Sequence, residues 1–451
     1  MKRFAKKMML FAAIVGLIPI ESFAAKLPYY RLNLEQCFEI ALTNNEEIKA
    51  AEHDVEIIVA KKIEATKRYV PVTNYKYRAG PAPRDVDDML ESVGNFDLSV
   101  FQSFKIETGA PVSTFGRLKI AKTLADMGVD LKTLEMQKKA DEILLNIYKL
   151  YNGVLLAREL KGLLQQGLDA IQSKIGDLEK EESADQIEIL KLKVLLYEAE
   201  RRYQEAAIKE DIAIATLKVL MGFEDEVDFD LADNSLRQER FVIRAFHEFL
   251  EKSKSYRPEF KLLEKGVVAK EMQIDLEKKE YLPNLGVGGF FEIGYTPGIR
   301  GDEDQNNFDN PFNYKRGGLG LELGGSLDFR KTESKVSQAK ADYLKMVAQK
   351  RIASRGLELD LKKSYLELKQ HQFMLTRAEQ DKKAARQIVF LTKSNLDIGL
   401  GEKKDYLDAL QSYLVFQGRA YEAIFNYNSA VATLKVKMGS LHAEQKTLYS
   451  E

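Results

Sequence analysis

The sequence predicts an exported α+β membrane protein with an internal duplication, in which very long helices are joined to four amphipathic strands. Three observations predict this. An export segment opens the chain, two long proline-free tracts are rich in helix formers, and short runs of period two lie between those tracts.

The opening "MKRFAKK" is a basic n-region, and "MMLFAAIVGLIPI" is an apolar run of 13 residues. That run is too short to span a bilayer as a helix. Small residues around Ala24 fit a cleavage site, so residues 1–24 are expected to be a signal peptide and to be removed. No later segment is long and apolar enough for a membrane helix. Basic and acidic residues nearly balance, 68 against 69, so no global field favours nucleic acid. The single Cys37 excludes an internal disulfide, and the four histidines have no metal-ligand spacing. No nucleophile–base set, phosphate loop or metal cluster is present, so neither an enzyme nor a cofactor is expected.

The duplication is read from the repeats. "ATLKVLMG" at 215–222 returns as "ATLKVKMG" at 432–439, an offset of 217. Around Glu47 and Glu259 the offset is 212, and "KRYVP" at 67–71 matches "KEYLP" at 279–283. About five residues were therefore gained or lost within the middle of a unit far longer than a solenoid repeat. The expected division is a first repeat at 25–222, an equatorial linker at 223–256, a second repeat at 257–439 and a tail at 440–451.

Residues 112–257 and 312–451 contain no proline. From Leu118 to about Ile175, and again from Lys331 to about Leu396, apolar residues recur at three- and four-residue spacing. About 65 residues at 1.5 Å rise give rods of roughly 100 Å, which implies side-by-side coiled-coil packing. A glycine after the last apolar turn, as in each "MG", is a helix C-cap.

Between the rods the pattern changes. In "GGLGLELGGSLDF" (317–329), Leu319, Leu321, Leu323, Leu327 and Phe329 share a face. In "NLGVGGFFEIGY" (284–295), Leu285, Val287, Phe291, Ile293 and Tyr295 share one. The first repeat offers a less regular pair, at 72–78 and 96–106. Strands with one apolar face read as outer-membrane barrel wall. Four strands cannot close such a barrel, so several chains must share it, and three would supply twelve strands. The competing expectation is two hairpins packed on a soluble core.

The ordered set of these features resembles the TolC-type outer-membrane efflux proteins. The resemblance rests on "LNLEQCFEIALTNNEEIKAAE", on the "YVP" and "YLP" that lead from helix to strand, on the duplication and on the repeated "ATLKVxMG" ends. It covers essentially the whole mature chain. It implies a homotrimer with a 12-stranded outer-membrane β-barrel, continued by a long periplasmic α-helical barrel, and a belt around its middle formed by residues 222–256 and the chain ends. It also implies a passive exit duct of a tripartite efflux or type I secretion system, with a periplasmic adaptor and an inner-membrane pump as partners. The alternative is a soluble periplasmic coiled-coil adaptor or scaffold.

By the same resemblance, "GLGEKKDYLDA" is the periplasmic gate. Asp405 and Asp408 lie at i and i+3 on one helix face, and three copies would form two acidic rings that favour cations. The turn Gly399, Leu400 and Gly401 matches the tip to which adaptors dock. An Arg and a Tyr that latch the gate in the best-known member have no counterpart, because Gly401 and Leu396 stand there. The first-repeat turn has Glu181, Glu182 and Ser183 in place of the family's glycine. "DEDQN" at 302–306 resembles a calcium loop but lacks its glycine, with Asn307 in that place, so an extracellular polar loop is expected.

Overall fold

The computed structural model describes residues 29–85, 88–180, 186–224, 227–299, 312–325 and 328–439. The expected signal peptide, the first-repeat turn at 181–183, the acidic run at 302–306 and the tail at 440–451 lie outside the described residues.

Each half of the chain builds the same series of elements. The first half has α1 (Leu34–Asn44), α2 (Glu46–Thr66), β2 (Val72–Pro83), β3 (Leu98–Ser113), α4 (Arg117–Leu178) and α5 (Gln186–Leu220). The second has α6 (Phe246–Tyr256), α7 (Pro258–Lys278), β5 (Asn284–Tyr295), β6 (Tyr314–Gly324), α8 (Phe329–Asp397) and α9 (Lys403–Lys437). A short α3 (Met89–Gly94) sits in the β2–β3 connection, and β1 (Tyr29–Leu32) and β4 (Asp228–Leu231) form a separate parallel pair. Element starts from α1 to α4 recur 212 residues later, and α5 recurs as α9 217 residues later. The five-residue difference therefore arises in the second rod and its turn.

The rods α4 and α8 have 62 and 69 residues, or about 93 and 104 Å at 1.5 Å per residue. Each packs antiparallel against the helix that follows it, and the short helices α2 and α7 complete the upper part of each rod. Two apolar cores occupy the middle of the rods. One joins Leu32, Cys37 and Phe38 to Leu144, Ile147 and Tyr151 of α4 and to Leu217 and Met221 of α5. The other joins Phe249 to Leu361, Tyr365 and Leu368 of α8 and to Tyr427, Val431 and Leu434 of α9. The linker residues and the start of the described chain thus gather at mid-height, where a belt was expected.

The repeated phrase has a mechanical explanation. Gly222 (φ +67°) and Gly439 (φ +71°) end α5 and α9 in the left-handed region. A Cβ on Gly222 would lie 2.4 Å from the Asn44 carbonyl oxygen, and one on Gly439 would lie 2.7 Å from the Tyr256 carbonyl carbon. Asn44 and Tyr256 are the last residues of α1 and α6, so each "MG" is wedged at the bend between the two short helices of its own repeat. The bend is fastened from the other side as well. The Asn45 amide donates to the Leu220 carbonyl at 2.8 Å, and the Ser253 hydroxyl donates to the Lys437 carbonyl at 2.8 Å. The one difference between the copies has a cause too. Leu220 packs against the first core, whereas Lys437 pairs with Asp360 at 2.6 Å.

Two strand boundaries differ from expectation. The strand expected over 317–329 ends at Gly324, and Phe329 is the first residue of α8. The Asp328 side chain accepts from the Lys331 N–H at 3.0 Å, so a helix N-cap overrides the apolar alternation at Phe329. Strand β3 runs on past the expected Ile106 to Ser113. Pro111 lies beyond the last residue that pairs with β2, so on that side its missing N–H breaks no ladder bond.

Candidate functional site

The four long strands form one antiparallel sheet in the order β2-β3-β5-β6. Its register settles which residues share a face, because directly opposed residues point the same way. One face carries Tyr75 and Tyr77 of β2, Phe104 and Ile106 of β3, Phe291 and Ile293 of β5, and Leu319, Leu321 and Leu323 of β6. The three leucines are 91%, 76% and 70% exposed. A leucine ladder left uncovered in one chain is apolar area waiting for lipid or protein.

The opposite face is polar. Lys76, Lys105, Glu292 and Arg316 stand side by side across all four strands, and Arg78, Ser103, Gly294 and Tyr314 form the next row. Glu292 is buried and saturated. Arg316 donates to it twice, at 2.9 and 3.1 Å, and the Tyr314 hydroxyl donates at 2.9 Å. Lys105 instead pairs with Glu107, one row below, at 2.6 Å. None of these charges was singled out from the sequence. The available signal was the charge at alternate positions of 74–78 and 103–107.

The outer edges of β2 and β6 have no strand partner within the chain. Where the sheet meets the rods, Glu280 at the end of the α7 segment pairs with Lys335 of α8 at 2.7 Å and with Arg117 of α4 at 3.7 Å. This clamp fixes the sheet to both rods.

At the other end, α8 turns into α9. The Asn395 carbonyl accepts from Leu400 N–H at 2.9 Å and Gly401 N–H at 3.0 Å, closing the last turn of α8. Gly399 has φ +77°, and a Cβ on Gly401 would come within 3.1 Å of Leu396 N, so the turn needs both glycines. Leu400 is 81% exposed, and Ile398, which sequence reasoning did not name, is exposed beside it. Asp405 and Asp408 lie in the first two turns of α9, both exposed, while Ala409 is buried. The two acids favour the positive end of that helix. The turn and the acid pair are thus contiguous at one extremity of the molecule. Among the described residues no group of His, Cys, Asp and Glu could hold a metal ion, and no helix is long and apolar enough to cross a membrane.

Comparison with known proteins agrees with this geometry. A family model described as outer membrane efflux protein matches residues 249–440. Similar solved structures include the open state of the Neisseria gonorrhoeae MtrE outer membrane channel, with TM-score 0.72 and 16% identity over 90% of this chain and 89% of that one. The Campylobacter jejuni CmeC outer membrane channel aligns with TM-score 0.70 and 15% identity over 93% and 89%. The outer membrane protein VceC from Vibrio cholerae aligns with TM-score 0.69 and 15% identity over 90% and 96%. No curated protein sequence matches. The family match covers the second repeat, and the first repeat builds the same elements in the same order; the chain belongs to the TolC-type outer-membrane efflux proteins.

Proposed function

We propose that three copies of this chain form a passive exit duct through the outer membrane. The observation that carries this reading is the open sheet. It has an exposed leucine ladder on one face, charges on the other and an unpaired edge on each side, and it is clamped to rods of about 100 Å. An open edge in lipid leaves several backbone groups unsatisfied, each at a cost of several kcal/mol. Pairing β6 of one copy with β2 of the next removes every edge and gives twelve strands, a size compatible with closure. The rods then continue the wall into the periplasm.

The duct supplies no energy. It takes cargo from an inner-membrane pump through a periplasmic adaptor, as part of a tripartite efflux or type I secretion system. The turn Gly399, Leu400 and Gly401 is the adaptor-docking tip, supported by the exposure of Leu400 and Ile398. Asp405 and Asp408 form two rings at the periplasmic mouth that favour cations. With Gly401 and Leu396 in place of an Arg and a Tyr, those rings rather than a cationic latch would set the charge at the mouth.

The test is twofold. Protein extracted from outer membranes should migrate as a trimer that dissociates only on heating. Asp405→Ala with Asp408→Ala should lower the cation preference of the pores in planar bilayers. A freely soluble monomer would sink the duct, and pores with unchanged selectivity would sink the rings. A photocrosslinker at position 400 should capture the adaptor in cells.

A further inference from the structure

We infer that the barrel lumen carries an electropositive collar that takes oxyanions, that is, small molecules bearing carboxylate or phosphate groups. The inference rests on the duct reading, because it needs the polar face of the sheet to line a lumen.

Two neighbouring rows of the polar face hold Lys76, Lys105, Arg316 and Arg78 against one acid, Glu292. Strands are about 4.8 Å apart and alternate residues about 6.8 Å apart, so the four cations lie within one patch per copy. Each copy contributes a net +3 in these rows, or +2 with Glu107 of the row below included. Three copies close the patch into a ring.

The local acids leave much of this charge uncompensated. Glu292 is occupied by Arg316 and Tyr314, and Glu107 by Lys105. Lys76 and Arg78 are exposed, and among the described residues no carboxylate lies within ion-pair distance of either. Acids of the nearby β2–β3 connection have local partners: Asp97 pairs with Arg84, and Asp85 and Asp88 accept backbone N–H groups around α3. Arg316 is itself rigidly held, stacked on the Tyr314 ring at 4.5 Å and forked onto Glu292, so its outer N–H groups are presented in a fixed direction. Glycines on the same face, at 286, 288, 318 and 320, keep side chains from filling the space below the ring. A cationic ring in a narrow lumen raises the local anion concentration and binds multivalent oxyanions more strongly than monovalent ones. The duct would then favour cations at its periplasmic mouth and anions at its outer end.

The test uses the whole trimer in planar bilayers, with citrate as the probe and spermine as the cationic control. Citrate added to the outer side should reduce the current in 0.1 M KCl, and 1 M KCl should weaken that block at least tenfold by screening. Spermine from the same side should not block comparably. Lys76→Gln with Arg78→Gln should weaken citrate block at least tenfold in trimers that still show heat-modifiable migration. Equal block in wild type and variant, or equal block by spermine and citrate in wild type alone, overturns the collar. Pores that ignore citrate overturn the collar and leave the duct standing. Absence of any pore overturns the duct reading, and the collar with it.

Discussion

Gly222 shows how much a single residue can carry here. It combines φ +67° with a backbone oxygen 2.4 Å from where a Cβ would lie. Gly222→Ala should therefore cost roughly 2–4 kcal/mol, adding left-handed strain to a steric clash. Gly439→Ala should cost a similar amount. Gly116→Ala is the internal control: φ is +90° but nothing lies within 4 Å, so only strain of about 1 kcal/mol is expected. Denaturant melts of the three variants check the order, and equal losses at all three would refute the wedge. Cys37 gives a second residue-scale prediction. It is fully buried beside Phe38 and Ala41, and burial pushes its thiol up to about 12. Iodoacetamide at pH 8 should leave it unmodified until the protein is unfolded. Rapid labelling of the native protein would show that the belt opens.

At the scale of elements, the belt is held by ion pairs as well as by apolar cores. Arg158 on α4 binds Glu210 of α5 at 2.7 Å and also Asp230 of β4, and Lys161 reaches Glu210 at 2.8 Å. Burial alone would raise the Glu210 carboxyl, but hydrogen bonds from Lys161 and Arg158 outweigh it and hold it below the ordinary carboxylate range. Asp230 and Asp360 are likewise lowered against their burial, by Arg158 and by Lys437 with Arg257 respectively. A depressed folded-state pKa gives stability that is present above the unfolded value and lost as pH falls through the folded value. The belt should therefore weaken below about pH 4 while the sheet stays paired, seen as earlier hydrogen exchange in α5 and β4. Glu210→Gln should cost roughly 1–3 kcal/mol at pH 7 and flatten the acid limb. An unchanged acid limb would mean that the network does not stabilise the belt.

These elements were not equally legible in the sequence. The rods fall within two or three residues of their expected ends, because proline-free tracts and period 3–4 spacing are local properties. The bend at Asn45 and Arg257 was not foreseen. It places a Pro at the start of α7 but an acid at the start of α2, and its stabilising contacts come from about 175 and 184 residues away. The charged rows were hidden for the same reason. Alternation assigns a face to each strand, but bringing Lys76, Lys105, Glu292 and Arg316 into one row depends on a register set across distant parts of the chain. The tip at 399–401 was visible because glycine spacing is local, whereas the exposure of Ile398 depends on how the turn closes.

For the whole molecule, the duplication supplies the symmetry of the proposed assembly. Two similar repeats per chain, taken three times, give a wall with sixfold character, and the two repeats differ where function would differ. Only the second carries the acid pair and the Gly-Leu-Gly turn, and only the second ends α9 with a lysine bound to Asp360. The leucine ladder and the unpaired edges of β2 and β6 are features that an isolated soluble chain would not retain without aggregation. Single-particle imaging of the protein extracted from outer membranes in detergent tests the central claim most directly. The account predicts end views with threefold symmetry around an open centre, and side views with a narrow stalk of roughly 100 Å below a compact barrel. Particles of a single chain with the sheet folded back on its own helices would contradict it.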